Sequence, residues 1–121
     1  MTTTVVGLFD GFAEAQRLIH PLVAQGIRRE DITLIVNPEA ISVDDVLVAG
    51  AWGVNVDVGP ASRGQPAALL ELGVPADEAE LYAEGLRRGG ALVSVYAAAA
   101  PQVDAVVALL ERSATAALAT P

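Results

Sequence analysis

Cysteine is absent from the 121 residues. That removes structural disulfides, thiolate zinc sites and cysteine nucleophiles together, and it suits a reducing compartment. Lysine is absent too: all seven basic residues are arginine, a bias of GC-rich coding rather than of function. Basic charge of any kind is scarce, since 15 acidic residues give a formal net charge of −8. A surface of that sign repels phosphate backbones, so nucleic acid is not an expected partner. Long apolar runs are also missing. Hydrophobic residues make up 53% of the chain, much of it alanine and valine. The greasiest stretch, Val46 to Val56, falls short of the roughly 18–20 residues that span a bilayer. No basic leader precedes the first strand pattern, so no signal peptide is expected and a soluble cytoplasmic protein is the default.

The length suits one domain, residues 1–121, since domains commonly run to roughly 100–150 residues. Such a chain buries over half of its unfolded surface and needs no disulfide or metal for stability. Its most informative stretch is Gly73 to Tyr96. Gly73 ends one helix, Pro75 pre-sets the next, and Asp77, Glu78 and Glu80 suit a helix N-terminus. Leu81, Tyr82 and Leu86, with Ala79 and Gly85, are expected to form its apolar face. Arg87 and Arg88 fall in the last turn, and Gly89-Gly90 turns the chain into an alternating strand, Ala91 to Tyr96.

Before this, Thr3 to Phe9 has strand composition and Asp10 reads as the N-cap of a helix running from Phe12 to Gln25. Pro21 should bend that helix by removing the hydrogen bond to the Arg17 carbonyl. Gly26 ends it, and Ile32 to Val36 forms a second strand, completing a β-α-β unit. Ser42 and Asp45 resemble a capping box, with Val43, Val46, Leu47 and Gly50 on one short helix. Val54, Val56 and Val58 alternate as a short strand, residues 59–64 form a loop, and Pro66 to Leu72 forms a short helix. Pro101 opens a last helix with Val103, Val106, Val107, Leu110 and Ala114 as its stripe. Residues 115–119 either add an edge strand or fray. The order predicts an α+β fold, a ferredoxin-like sandwich with an insertion at about 38–72 and one sheet backed by two long helices. The other sheet face calls for cover by the insertion or by a second subunit.

The segments TVVGLFDGFAEAQRLIHPLVAQGIRREDITLIV and ELGVPADEAELYAEGLRRGGALVSVYA carry a resemblance. Over residues 3–36 and 71–98 the chain resembles the bacterial heat-induced stress protein family, small general stress protein domains. The spacing of Gly73-Val74-Pro75, Tyr82, Gly85 and Arg88-Gly89-Gly90 is the more specific part. The resemblance implies stress-linked expression and a sandwich fold, and it brings no catalytic residue with it. Family members carry a long glycine- and alanine-rich segment between the two blocks; here the stretch 38–70 is shorter and more polar. Pro21 is a second departure.

No catalytic constellation is evident. His20, the lone histidine, has no orienting carboxylate or nucleophile identifiable in sequence and reads as a surface or interface residue. Asp44, Asp45 and Asp57 do not match a calcium loop, and no metal or cofactor is expected. Gly50-Ala51-Trp52-Gly53 lacks the lysine of a phosphate loop, and Asp10-Gly11 lacks the repeated glycines of a dinucleotide fingerprint. An acylphosphatase-like anion loop would need arginine after the first strand, where Asp10 stands. Trp52, Tyr82, Arg87, Arg88 and Tyr96 remain as candidates for a ligand or interface. The expected function is therefore non-enzymatic: a stress-associated domain acting through homo-oligomerisation, dimer or higher, or through contact with another protein. The alternative is a small-ligand-binding regulatory domain, with a pocket between Trp52 of the insertion and the helix end at Arg87-Arg88.

Overall fold

Thr3–Phe9 (β1) is buried along Val5 to Phe9 and becomes a central strand of the sheet. In the computed structural model, which describes residues 3–39 and 42–120, it pairs antiparallel with Ala91–Ala97 (β4) on one side and Ala116–Thr120 (β5) on the other. Ile32–Val36 (β2) pairs antiparallel with β4, and Asn55–Asp57 (β3) lies parallel to β2 at the edge. The order is β3-β2-β4-β1-β5. Without β3, this is the antiparallel order of a ferredoxin-like sandwich. The β-α-β unit of residues 3–36 is therefore split, with β4 inserted between its strands. Residues 116–120 do not fray; they form the edge strand beside β1.

Among the described residues six helices accompany the sheet: Phe12–Gln16 (α1), Ile19–Ala24 (α2), Val43–Ala51 (α3), Pro66–Glu71 (α4), Ala76–Arg87 (α5) and Ala100–Ser113 (α6). On the first sheet face, Phe12, Ala15, Ile19 and Leu22 of α1 and α2 join Ala49 of α3 and Val106 and Leu110 of α6. They pack on Val5, Leu34, Val93 and Val95, and each fully buried large aliphatic side chain contributes about 1.5–3 kcal/mol. The helix expected over 12–25 is broken at Arg17–Leu18. Pro21 has no N–H for the Arg17 carbonyl and its ring crowds that oxygen, so the break lies four residues upstream of it. Helical bonding resumes at once, from Leu22 N–H to the Leu18 carbonyl at 2.9 Å. Asp10 does not cap α1. The N-cap is Gly11, with no side-chain bond, and Asp10 Oδ1 accepts instead from the Thr115 hydroxyl at 3.0 Å. Ser42 does cap α3, accepting from Asp45 N–H at 3.1 Å. The side chains of Val43 and Val46, expected on that helix's apolar face, lie outside the described residues.

The second sheet face is not left bare. The segment joining β2 to β4 contributes the 3-10 turn Pro60–Arg63, α4 and α5, whose Ala61, Leu69, Val74, Tyr82 and Leu86 cover Val6, Leu8, Ile35 and Leu92. The insertion thus extends beyond residue 72 and takes α5 with it, and of the two kinds of cover expected for this face it is the insertion that supplies it. Its buried stripe is Ala79, Tyr82, Ala83 and Leu86, positions i, i+3, i+4 and i+7. Leu81 falls on the opposite side and is exposed, contrary to expectation. The approach of α5 to the sheet is close. A Cβ on Gly85 would meet Leu8 Cδ2 at 2.6 Å, and one on Gly90 would meet the Gly85 and Phe9 carbonyl oxygens at 2.6 and 2.7 Å. Cover stops short of the far end of β4, where Tyr96 is 50% exposed.

Candidate functional site

An open cleft lies beside the broken first helix. Ala13, Gln16, Arg17 and His20 recur at i, i+3, i+4 and i+7 on the side opposite the buried Phe12, Ala15 and Leu22. Arg29 enters from the 3-10 turn Arg29–Asp31 that leads into β2, and Trp52 enters from the C-cap of α3. With Ile19 at the base, these residues surround a cleft of about 550 Å³.

The cleft wall is fastened by backbone-directed bonds. Arg29 Nη1 donates to the Trp52 carbonyl at 3.1 Å, tying the β2 entrance to the turn before β3. Asn55 Nδ2 donates to the Glu30 and Ile32 carbonyls at 2.8 and 3.3 Å, tying the same two segments again. Trp52 itself is half-buried: it packs against the first-face core and also lines the cleft. A rigid, amphipathic ring in such a setting suits a stacking contact.

Charge in the cleft runs against the molecule as a whole. Its lining holds two arginines and the lone histidine, and no carboxylate. The acids nearest in sequence to Arg29 are engaged elsewhere: Glu30 and Asp31 pair with Arg28 Nε at 3.1 and 3.4 Å. Among the described residues, neither Arg17 nor His20 has a hydrogen-bond or ion-pair partner, and both are exposed. A guanidinium fork without a carboxylate presents its N–H donors to whatever planar oxyanion arrives. No Ser, Thr or carboxylate joins His20 in the lining, so nothing there completes a nucleophile–base pair.

The other candidates are arranged differently. Arg87 and Arg88 point back to their own helix. Arg87 Nη1 meets Glu84 at 3.1 Å and Glu80 at 3.3 Å, and Arg88 Nε meets Glu84 at 2.9 Å. The hydrogen bond and charge of Arg88, then those of Arg87, hold the Glu84 carboxyl below its ordinary range. The pocket expected between Trp52 and Arg87-Arg88 is not formed, because Trp52 packs with the first face and α5 covers the second. Tyr82 is core rather than interface: it is fully buried, and among the described residues its hydroxyl has no partner. Burial, and then the charge of Glu78, push that hydroxyl up to about 12. Tyr96 lines a smaller cleft of about 330 Å³ with Arg28, Asp31 and Gln102. Asp57 accepts from the Gly59 N–H at 2.7 Å, and Asp44 and Asp45 occupy the first turn of α3. Among the described residues no three His, Asp or Glu side chains come together as a metal site.

Trp52 and His20 each stood out in the sequence as lone residues of their type, but nothing there joined them. Arg17 and Arg29 were missed as site residues. The readable signal was the stripe Ala13, Gln16, Arg17, His20, which is the wet side of a helix whose dry side was recognised. The architecture is an α+β sandwich, a five-stranded sheet covered by helices, and none of its described helices is long and apolar enough to cross a membrane. Comparison with protein-family models, curated proteins and solved structures found no match.

Proposed function

We propose that this protein is a small-ligand-binding regulatory domain whose ligand is a compact organic anion carrying a flat or apolar body. The supporting observation is the cleft at Arg17, Arg29, His20 and Trp52, lined by cations and no acid in a chain of net charge −8. A carboxylate or phosphate group would take the Arg17 and Arg29 forks, and its ring would lie against Trp52. The domain acts by binding rather than by catalysis, since His20 has no nucleophile or orienting acid beside it in the lining. The resemblance to heat-induced stress proteins would set that binding in a stress response, with occupancy of the cleft as the signal.

Trp52 is the only tryptophan, so its emission reports on this cleft alone. Titration with benzoate, indole-3-carboxylate and phenyl phosphate should give a saturable change in that emission, weakened by added salt. Among the described residues the Arg17 side chain has no partner, which makes Arg17→Gln a clean probe; it should weaken binding roughly tenfold to a hundredfold, the value of one charge-assisted bond. An emission that stays flat across the panel, or that titrates equally in Arg17→Gln, would leave the reading without support.

A further inference from the structure

The two edges of the sheet are protected very differently. β3 has three residues, carries Asp57, and has Asn55 folded back onto the Glu30 and Ile32 carbonyls. β5 has five residues, Ala116 to Thr120, with no charge, no proline and no glycine among them. One side of β5 is held by β1 in antiparallel register from Leu8↔Ala116 to Thr4↔Thr120. Along its other side no strand is paired among the described residues, and alternation turns every second N–H and C=O outward. Soluble proteins usually blunt such an edge with lysine, proline, a bulge or a covering element. β5 has none of the sequence devices.

We infer that the outer edge of β5 is a homodimer interface, in which two copies pair β5 to β5 antiparallel about a two-fold axis. Antiparallel strands related by a two-fold are self-complementary: every donor offered by one copy meets an acceptor offered by the other. The two five-stranded sheets then become one continuous sheet. Charge favours a second copy over a charged partner strand. Each molecule carries −8, yet residues 116–120 bring no charge to the seam, so the copies meet where repulsion is least. This edge is independent of the Arg17–Trp52 cleft, which lies with the first-face helices and the opposite end of the strand order.

Sedimentation equilibrium on the full chain tests the inference. The expected species has twice the 12.4 kDa chain mass. Ala119→Lys, at an exposed position of β5, should raise the dimer dissociation constant roughly a hundredfold by placing like charges across the seam. Val58→Lys, an exposed position beside β3 with the same change in net charge, should leave it unchanged. In the unaltered protein, amide exchange in 116–120 should slow as concentration rises. A monomer at all concentrations, or a dimer unaffected by Ala119→Lys with exchange in β5 independent of concentration, would overturn the assignment.

Discussion

The arginines on the two sides of the sheet show what separates a structural cation from an available one. Arg87 and Arg88 on α5 and Arg28 and Arg29 before β2 look alike in the chain, each pair following a helix and preceding a strand. On α5 both guanidinium groups are met by Glu80 and Glu84. Before β2, Arg28 absorbs both nearby acids and Arg29 is turned to the Trp52 carbonyl, its remaining donors sharing the cleft with Arg17, whose side chain has no partner among the described residues. Packing differs in the same direction. Glycine lies under a helix on both faces, but the approach is closer at Gly85 and Gly90 of the second face (nearest atom 2.6 Å) than at Gly7 under α6 (3.2 Å). The first face also carries a helix broken by Pro21, with a cleft on its outer side. Room and unspent charge coincide on one side only.

That contrast can be broken at its tightest point. Gly90→Ala would press a Cβ against two carbonyl oxygens that no side-chain rotation can move, and it should cost about 3 kcal/mol. Differential scanning calorimetry should find a midpoint lower by roughly 10 °C. A midpoint within a degree of the parent's would mean that α5 is not held against β1 as described.

A smaller effect is expected at Tyr82, where the second face buries a hydroxyl with no partner among the described residues. Tyr82→Phe should raise stability at neutral pH by about 1 kcal/mol, because nothing is lost but a desolvated group. The pH dependence has a definite sign. Folding raises this phenol from the model-compound value of 10.0 to about 12, through burial first and Glu78 second. The stability it allows is therefore complete below pH 10 and is lost as pH rises towards 12, where the unfolded chain ionises first. Denaturant midpoints of Tyr82→Phe should lack that alkaline loss; a curve parallel to the parent's would contradict it.

The smallest effect sharpens the comparison from the loose side. A Cβ on Gly50 of α3 would meet nothing within 4 Å. Gly50→Ala should stabilise by about 0.5–1 kcal/mol, through helix propensity alone. Urea midpoints decide this, and a loss of stability would show that the outer layer of the first face is packed more closely than its geometry indicates.

Much of this architecture was readable before the structure. Strand-forming composition marked β1 and β2, which are buried on both sides, alternation marked β4, and the Val103, Val106 and Leu110 spacing marked α6, whose one buried side imposes the 3.6 period on the residues. What periodicity could not convey was which sheet face each helix would meet. Tyr82 looked like a site residue and Leu81 like core, because a run of apolar letters does not declare its centre until Ala79 and Ala83 are given equal weight. Asp10 looked like a cap because the residue type suits one, yet the strand end held it for Thr115, which is 105 residues away. The cleft was legible only in fragments. Trp52 and His20 were visible singly, and Arg29 joins them through a long-range pairing of β2 with β3 that no local pattern records.

The claim that unspent charge distinguishes the two sides is tested most directly by following all seven arginine Nε–Hε resonances in nitrogen-15 spectra while benzoate is added. Saturable shifts at Arg17 and Arg29, with Arg87 and Arg88 unmoved, are the expected result. Shifts of equal size at all seven, or shifts confined to Arg87 and Arg88, would contradict it.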